Sequence, residues 1–150
     1  MKFIYFLIAF LFTTSVCAAE NITGLWTTID DETKEEKSVV QIYEHKGKFF
    51  GRVVKLFKNV DKTAEGIKGN PKIVGLDIIW NLEDKGEKFK GGKILDPAKG
   101  KIYSSEAWRE GDNLILRGKI GPFGRNQTWV KNNDLSLVVE GIEPSIPQKE

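Results

Sequence analysis

The chain has 150 residues, with 23 Lys and Arg against 21 Asp and Glu, which gives a formal net charge of +2 at pH 7. This length is typical of a single domain. The near balance of charge argues against nucleic acid as a partner and against strong adhesion to an anionic lipid surface.

The N-terminal segment predicts export. Lys2 supplies one positive charge, residues 3–12 are apolar throughout, and residues 13–19 are small. This is the three-part layout of a secretory signal peptide. We therefore expect cleavage after Ala18 or Ala19 and a secreted or periplasmic mature protein.

Two alternatives exist for this N-terminal segment. A membrane anchor is disfavoured because a helix needs about 20 apolar residues to span a bilayer, so no stable anchor should remain after cleavage. A lipoprotein acylated at Cys17 is disfavoured because Val16 stands where such signals usually carry Gly, Ala or Ser. Cleavage would remove Cys17, the only cysteine, and with it all disulfide and thiol chemistry.

The rest of the chain predicts an all-β protein. Apolar residues almost nowhere recur with the spacing of an amphipathic helix. Short runs rich in β-branched and aromatic residues alternate instead with Gly, Asp, Asn and Lys. The predicted strands are 24–30, 38–44, 49–57, 88–95, 101–109, 114–120 and 125–131.

Two further segments are less regular. Residues 73–82 fit either a short strand or a turn of helix that crosses one end of the fold, and residues 135–139 fit an edge strand. Residues 58–71 form a long polar stretch, which is typical of a binding lid or a mobile loop. We divide the chain into a signal peptide (1–19), a barrel domain (20–140) and a loose C-terminal tail (141–150).

Glycines and turns indicate how the sheet curves. Residues 45–48 and 96–100 predict tight turns between strands, with Gly47 and Gly100 at the positions that need a positive φ. Gly51, Gly92 and Gly118 each lie inside a predicted strand, where glycine marks a bend or a close backbone approach. We predict a small antiparallel up-and-down β-barrel of about eight strands, with a flat sandwich as the alternative.

The sequence Gly24-Leu25-Trp26 resembles the Gly-x-Trp at the head of lipocalin-type barrels. In those barrels the Trp plugs one end, and a basic residue near the last strand covers its ring. This resemblance implies a cation–π contact between Trp26 and either Arg125 or Lys131.

A wider resemblance extends over almost the whole mature chain. Its segments are GLWTTIDDE (24–32), VVQIYEHKGKFFGRVVKL (39–56), VGLDIIW (74–80), GGKILDPAKGKIY (91–103) and GPFGRNQTWV (121–130). In this order they resemble the bacterial secreted family known as domain of unknown function 2147. The resemblance implies an exported lipocalin-like barrel without an established activity. Many relatives carry two cysteines, one in the long loop and one near Ser105, and their absence here leaves the 58–71 loop untethered.

Few residues suggest catalysis or metal binding. His45 is the only histidine and lies in a predicted turn, so neither a two-His metal site nor Ser/His/Asp catalysis is expected. Carboxylates can act as acid and base in pairs, and the candidates are Asp77, Asp96 and Glu106. Asp96 is expected to form a turn. Asp77 interrupts an apolar run, so it is either exposed to solvent or a buried, paired carboxylate. Glu106 alternates in phase with Ile102 and Trp108, the face expected to be interior, so it is either an interior charge with a basic partner or lies at a strand end or on the outer face. No cofactor and no metal are predicted.

The aromatic residues suggest a pocket instead. Pockets for small molecules are mainly apolar and carry a few placed polar groups. The predicted ligand-binding residues are Trp26, Asp77, Trp80, Tyr103, Glu106, Trp108, Arg125, Gln127 and Trp129.

Three functions remain open at this point. The first is an exported barrel that binds a small hydrophobic or amphipathic ligand. The second is a filled barrel that acts as an envelope protein-interaction or stress module with an envelope protein as partner. The third is a carboxylate-based enzyme, which requires Asp77 or Glu106 in a water-accessible cleft within hydrogen-bond reach of a second titratable group.

Overall fold

The structure is a computed structural model that describes residues 20–150, so the expected signal peptide lies outside the described residues. Eight antiparallel strands close into one barrel in chain order, with β8 paired to β1. The flat sandwich is thereby excluded. The strands are β1 (Gly24–Ile29), β2 (Glu36–His45), β3 (Lys48–Leu56), β4 (Asp77–Asp84), β5 (Phe89–Asp96), β6 (Lys101–Glu110), β7 (Asn113–Ile120) and β8 (Phe123–Lys131).

The two less regular segments, 73–82 and 135–139, form different kinds of structure. Most of residues 73–82 enters β4, a full barrel strand that pairs with β3 and β5, so it does not cross a barrel end. The expected edge strand at 135–139 is wrong. A short 3-10 helix, Leu135–Leu137, occupies that segment. Because β1 and β8 pair with each other, the closed barrel has no free edge there for a ninth strand.

The predicted turns are confirmed. Lys46 and Gly47 have φ values of 48° and 78°, the left-handed pair that matches the twist of a two-residue hairpin. In the 96–100 turn, the Gly100 N–H donates to the Asp96 carbonyl at 2.8 Å, and Gly100 has φ 65°. These turns keep consecutive strands adjacent and so produce the up-and-down order.

Glycine also allows the interior to fill near the sealed end. A Cβ atom placed on Gly92 would lie 2.8 Å from the Leu82 side chain, and one on Gly51 would lie 3.0 Å from Ile42. A side chain at Gly92 would collide with its neighbours, and one at Gly51 would fit only if Ile42 and Ile79 moved by a few tenths of an ångström. Gly118 differs, because a Cβ there would meet its nearest neighbour, on Tyr103, at an ordinary 3.5 Å. The packed core therefore ends near the level of Gly118.

Trp26 seals one end of the barrel. Its side chain is 1% exposed, and its Nε1 donates to the Ile22 carbonyl at 2.9 Å. The cation over the ring is Arg109 of β6, with 5.1 Å from Cζ to the ring centroid. The expectation that Arg125 or Lys131 would cover Trp26 is therefore wrong.

The long β3–β4 loop is held against the barrel. Ala64 and Ile67 are buried, and the Glu65 N–H donates to the Pro97 carbonyl at 2.9 Å. Only glycine fits at position 100 beneath this loop, since a Cβ atom there would lie 2.5 Å from the main-chain carbonyl oxygen of Glu65. The loop is thus tethered by packing and main-chain hydrogen bonds without a disulfide.

The C-terminal segment (132–150), which includes the expected loose tail at 141–150, makes specific hydrogen bonds across the outside of the barrel. The Val139 N–H and carbonyl both bond the Gln41 side-chain amide, at 2.9 and 3.0 Å. The Ser145 N–H donates to Asp77 at 2.7 Å. Further along, the Gln148 carbonyl accepts from the Lys68 N–H at 2.8 Å. The segment therefore links β2 and β4 to the β3–β4 loop.

Within residues 20–150, the structure contains no helix with the length and apolar character needed to cross a membrane.

Candidate functional site

The barrel is hollow at the end opposite Trp26. A cavity of about 630 Å³ extends from the β1–β2, β3–β4 and β5–β6 loops into the barrel. This volume lies within the range of about 300–1,000 Å³ typical of small-molecule sites. The cavity is therefore the main candidate for a functional site.

The inner wall of the cavity is mostly apolar. Side chains from β3, β4, β5, β7 and β8 meet there because inward-facing residues alternate along each strand. Trp129, which is 2% exposed, contributes the largest side chain. The apolar residues of the wall include Val53, Ile78, Ile94, Leu116 and Trp129.

A polar ladder runs along one side of the cavity toward its mouth. Trp129 Nε1 donates to Gln127 Oε1 at 3.2 Å, and Gln127 Nε2 donates to Asp31 Oδ2 at 3.3 Å. Arg125 forms an ion pair with the same Asp31 oxygen. Arg125, Gln127 and Trp129 occupy alternate positions of β8, so they share its inward face. The ladder places a guanidinium, an amide and a carboxylate at the open end.

The rim of the cavity carries both signs of charge. Hydrogen bonds from the Thr33 and Glu32 N–H groups lower the pKa of Asp30 and fix the β1–β2 turn. A hydrogen bond to Glu35 raises the pKa of Lys58 and joins two rim loops. The charged residues of the rim are Asp30, Asp31, Glu32, Glu35, Glu36, Lys37, Lys58, Lys62, Asp96, Lys99 and Arg125.

The nine residues predicted for ligand binding divide into two groups. Tyr103, Arg125, Gln127 and Trp129 line the cavity. Trp26 lies at the sealed end, Trp80 belongs to the packed core, and the other three lie on the outside of the barrel wall. The cavity therefore joins residues from β6 and β8 with residues that the sequence did not single out, such as Asp31 and Ile78.

Of the positions left open for Glu106, the structure shows the outer face, and the expectation that Trp108 faces the interior is wrong. Glu106 lies on the outer face, where it pairs with Lys119 at 2.6 Å, and that hydrogen bond lowers the pKa of Glu106. Trp108 also faces outward, with Lys88 Nζ 4.1 Å from its ring centroid. The buried positions between them are Ser105 and Ala107. The narrow interior takes small residues at this level, so the larger apolar side chain is left outside.

Asp77 forms a buried cluster beneath the C-terminal segment. It has no exposed surface and accepts hydrogen bonds from Tyr43 Oη at 2.9 Å and from Arg52 Nε and Nη2 at 3.1 and 3.0 Å. Burial and the Asp77 charge raise the pKa of Tyr43. Since a buried carboxylate requires such partners, the cluster is structural, and Asp77 shares no cleft with Glu106.

Among residues 20–150, no group of three or more His, Cys, Asp or Glu side chains is arranged to hold a metal ion.

A closed eight-stranded barrel with one end sealed by a tryptophan and the other end open defines a lipocalin-like calyx. The chain belongs to the bacterial family described as "Uncharacterized protein conserved in bacteria (DUF2147)", whose family model matches residues 24–131. The match begins at the first residue of β1 and ends at the last residue of β8, so it covers the complete barrel. No curated protein matches the chain.

A solved structure supports the class of fold. It is protein HP1028 from Helicobacter pylori, described as belonging to the lipocalin family. The likeness has a TM-score of 0.65 and 24% sequence identity over 78% of this chain and 86% of that chain. At this identity the likeness concerns the fold alone.

Proposed function

We propose that this protein binds a small hydrophobic or amphipathic molecule in the open half of its barrel. The observation that carries this proposal is the cavity of about 630 Å³ with an apolar inner wall. Apolar surface that faces a cavity gains favourable free energy when a ligand removes it from water. A filled barrel would offer no such space, so the cavity favours ligand binding over the alternative of an interaction module.

The distribution of polar groups supports one orientation of the ligand. The apolar part would contact Ile78, Leu116 and Trp129 inside the barrel. A polar head group would meet Gln127 and Arg125 near the mouth, where both side chains already donate hydrogen bonds to Asp31. Binding by the exported mature protein, in the periplasm or outside the cell, is part of this proposal.

Tryptophan fluorescence tests the proposal because Trp129 is the tryptophan that lines the cavity. Exported protein would be titrated with fatty acids, lysophospholipids and other hydrophobic metabolites. We expect a change in emission that disappears in Trp129→Phe and persists in Trp108→Phe, since Trp108 lies on the outer face. An unchanged response in Trp129→Phe, or no response to any compound, would contradict the proposal.

A cavity-filling substitution provides a second test. Gly118 lines the cavity and has room for a Cβ atom, so Gly118→Leu should project into the cavity and weaken binding about tenfold or more. The matched control is Ser104→Leu, at an exposed position of the neighbouring strand. Equal affinity of the two variants would show that the ligand binds elsewhere.

A further inference from the structure

The open end of the barrel carries exposed apolar side chains. Phe123 is 79% exposed and Ile120 is 58% exposed, and the two are paired at the tip of the β7–β8 hairpin. Val60, in the β3–β4 loop at the same end, is 59% exposed. Because the barrel is ordered from β1 to β8, these two loops lie on opposite sides of the mouth.

The β7–β8 hairpin is also basic, although the charge of the whole chain is almost balanced. Between Asn113 and Lys131 it contains four basic residues and no acidic residue. These are Arg117, Lys119, Arg125 and Lys131. Three of the four lie toward the mouth, because Lys131 pairs with Trp26 at the sealed end. The hairpin therefore carries a local excess of positive charge, whereas the other charged residues of the cavity rim are six acidic and four basic.

Arg117 is the cation best placed to act with the apolar tip. A Cβ atom on Gly124 would lie 2.4 Å from its Nη2 atom, so the guanidinium lies over the residue that follows Phe123. Arg117 bonds the uncharged Asn126 side chain at 2.9 Å. Lys119 and Arg125 are instead paired with Glu106 and Asp31. Arg117 thus keeps its charge available within a few ångströms of the tip.

From these observations we propose that the tip of the β7–β8 hairpin, at the mouth of the barrel, docks on an anionic lipid bilayer, with Phe123 and Ile120 inserted at the interface and Arg117 at the level of the head groups. Apolar side chains flanked by basic residues are typical of segments that bind in the interfacial region of a membrane. The inference rests on the proposed function in one respect: docking at the mouth would allow an amphipathic ligand to pass between bilayer and cavity without crossing water.

Vesicle flotation tests docking without any added ligand. The full chain would be expressed in a bacterial host, and the exported protein would be mixed with vesicles of phosphatidylglycerol and phosphatidylethanolamine. We expect the wild-type protein to float with the vesicles. Phe123→Ser should weaken binding about tenfold, because the inserted ring is lost. Leu135→Ser is the matched control, since Leu135 is 77% exposed but follows β8 at the sealed end. Equal losses in the two variants would overturn the proposal.

The charge contribution has its own matched pair. Arg117→Gln should weaken binding to the anionic vesicles about fivefold and should have little effect on vesicles of phosphatidylcholine alone. Lys131→Gln changes the hairpin charge by the same amount at its opposite end, and should have little effect on either. A larger loss in Lys131→Gln, or absence of wild-type binding to anionic vesicles, would contradict docking and would favour a protein partner for the tip.

Docking and ligand binding can fail separately in these experiments. Phe123→Ser should keep the Trp129 fluorescence response to a ligand in solution and lose only vesicle binding. If vesicle binding is normal and no ligand changes Trp129 emission, the docking surface stands and the proposed function fails. Urea unfolding of Phe123→Ser checks its fold, which should be unaffected because the side chain is exposed.

Discussion

The guanidinium carbon of Arg109 lies 5.1 Å from the centroid of the Trp26 ring, and this pair closes the sealed end of the barrel. Arg109 also donates to the Asn21 carbonyl at 2.9 Å and to the Gly111 carbonyl at 2.8 Å. It therefore holds together the segment before β1, the Trp26 ring and the β6–β7 turn.

Arg109→Ala should destabilise the protein by about 1–2 kcal/mol, because the cation–π contact and the hydrogen bonds to two carbonyls are lost together. Urea unfolding followed by fluorescence would measure the change. Lys131→Ala, at one of the two positions that the sequence suggested, should cost less than about 0.5 kcal/mol. If Lys131→Ala costs as much as Arg109→Ala, the contact seen at Trp26 is not the stabilising one.

Asp77→Ala should destabilise the fold by about 3–5 kcal/mol. Removing one partner of a buried ion pair leaves the other uncompensated, and here the Arg52 guanidinium, the Tyr43 hydroxyl and the Ser145 N–H would all lose an acceptor. The double variant Arg52→Met with Asp77→Leu should recover part of the loss. Chemical denaturation of the three proteins checks this, and a cost below about 1 kcal/mol for Asp77→Ala would contradict it.

Alkaline pH should destabilise the protein through Tyr43. Burial and the Asp77 charge raise the pKa of Tyr43 above its ordinary value of 10.0, so ionisation is easier in the unfolded chain than in the folded protein. The stabilising effect is complete below pH 10.0 and is lost as pH rises toward the folded-state pKa. The urea midpoint of unfolding, measured at increasing pH above 10.0, should fall less steeply with pH in Tyr43→Phe than in Tyr103→Phe. Parallel curves for the two variants would refute this account.

Gly100→Ala should be more costly than Gly111→Ala. Both glycines have positive φ, 65° and 59°, so both substitutions add backbone strain of about 1 kcal/mol. Only at Gly100 would the new Cβ also meet the Glu65 oxygen, at 2.5 Å, whereas Gly111 has open space. The difference in unfolding free energy between the two variants measures how closely the β3–β4 loop is packed. No difference would mean that the loop does not depend on this contact.

Deletion of residues 141–150 should loosen the β3–β4 loop while the barrel stays closed. The deletion removes the carbonyl that accepts from the Lys68 N–H and the N–H that donates to the Gly66 carbonyl. It leaves the pairing of β1 with β8 intact. The deletion should therefore increase the rate of amide hydrogen exchange at Lys68 and its neighbours more than at the barrel strands. Leu135→Ser serves as a control that leaves these bonds in place, and unchanged exchange at Lys68 after the deletion would count against the link.

The sequence by itself determined seven of the eight strands and the turns at 45–48 and 96–100, while its glycines and the family resemblance favoured a barrel over a flat sandwich. Alternation with period two, together with Gly47 and Gly100 at positions that require positive φ, specifies local structure through sterics and solvation that depend only on near neighbours. Seven predicted strands match observed strands closely, and the glycines inside them indicated the curvature that closes the barrel. Arg125, Gln127 and Trp129 share one face of β8 for the same local reason.

Tertiary structure alone decided which face of β6 points inward and how Asp77 is satisfied. Alternation separates two faces of a strand but does not state which of them is buried, and the narrow interior selected Ser105 and Ala107 over Trp108. The partners of Asp77 come from β2, β3 and the C-terminal segment, and that of Trp26 comes from β6. Contacts between residues so far apart in the chain form only when the barrel closes. The depth at which the packed core ends and the cavity begins also depends on closure. No local sequence pattern encodes either feature.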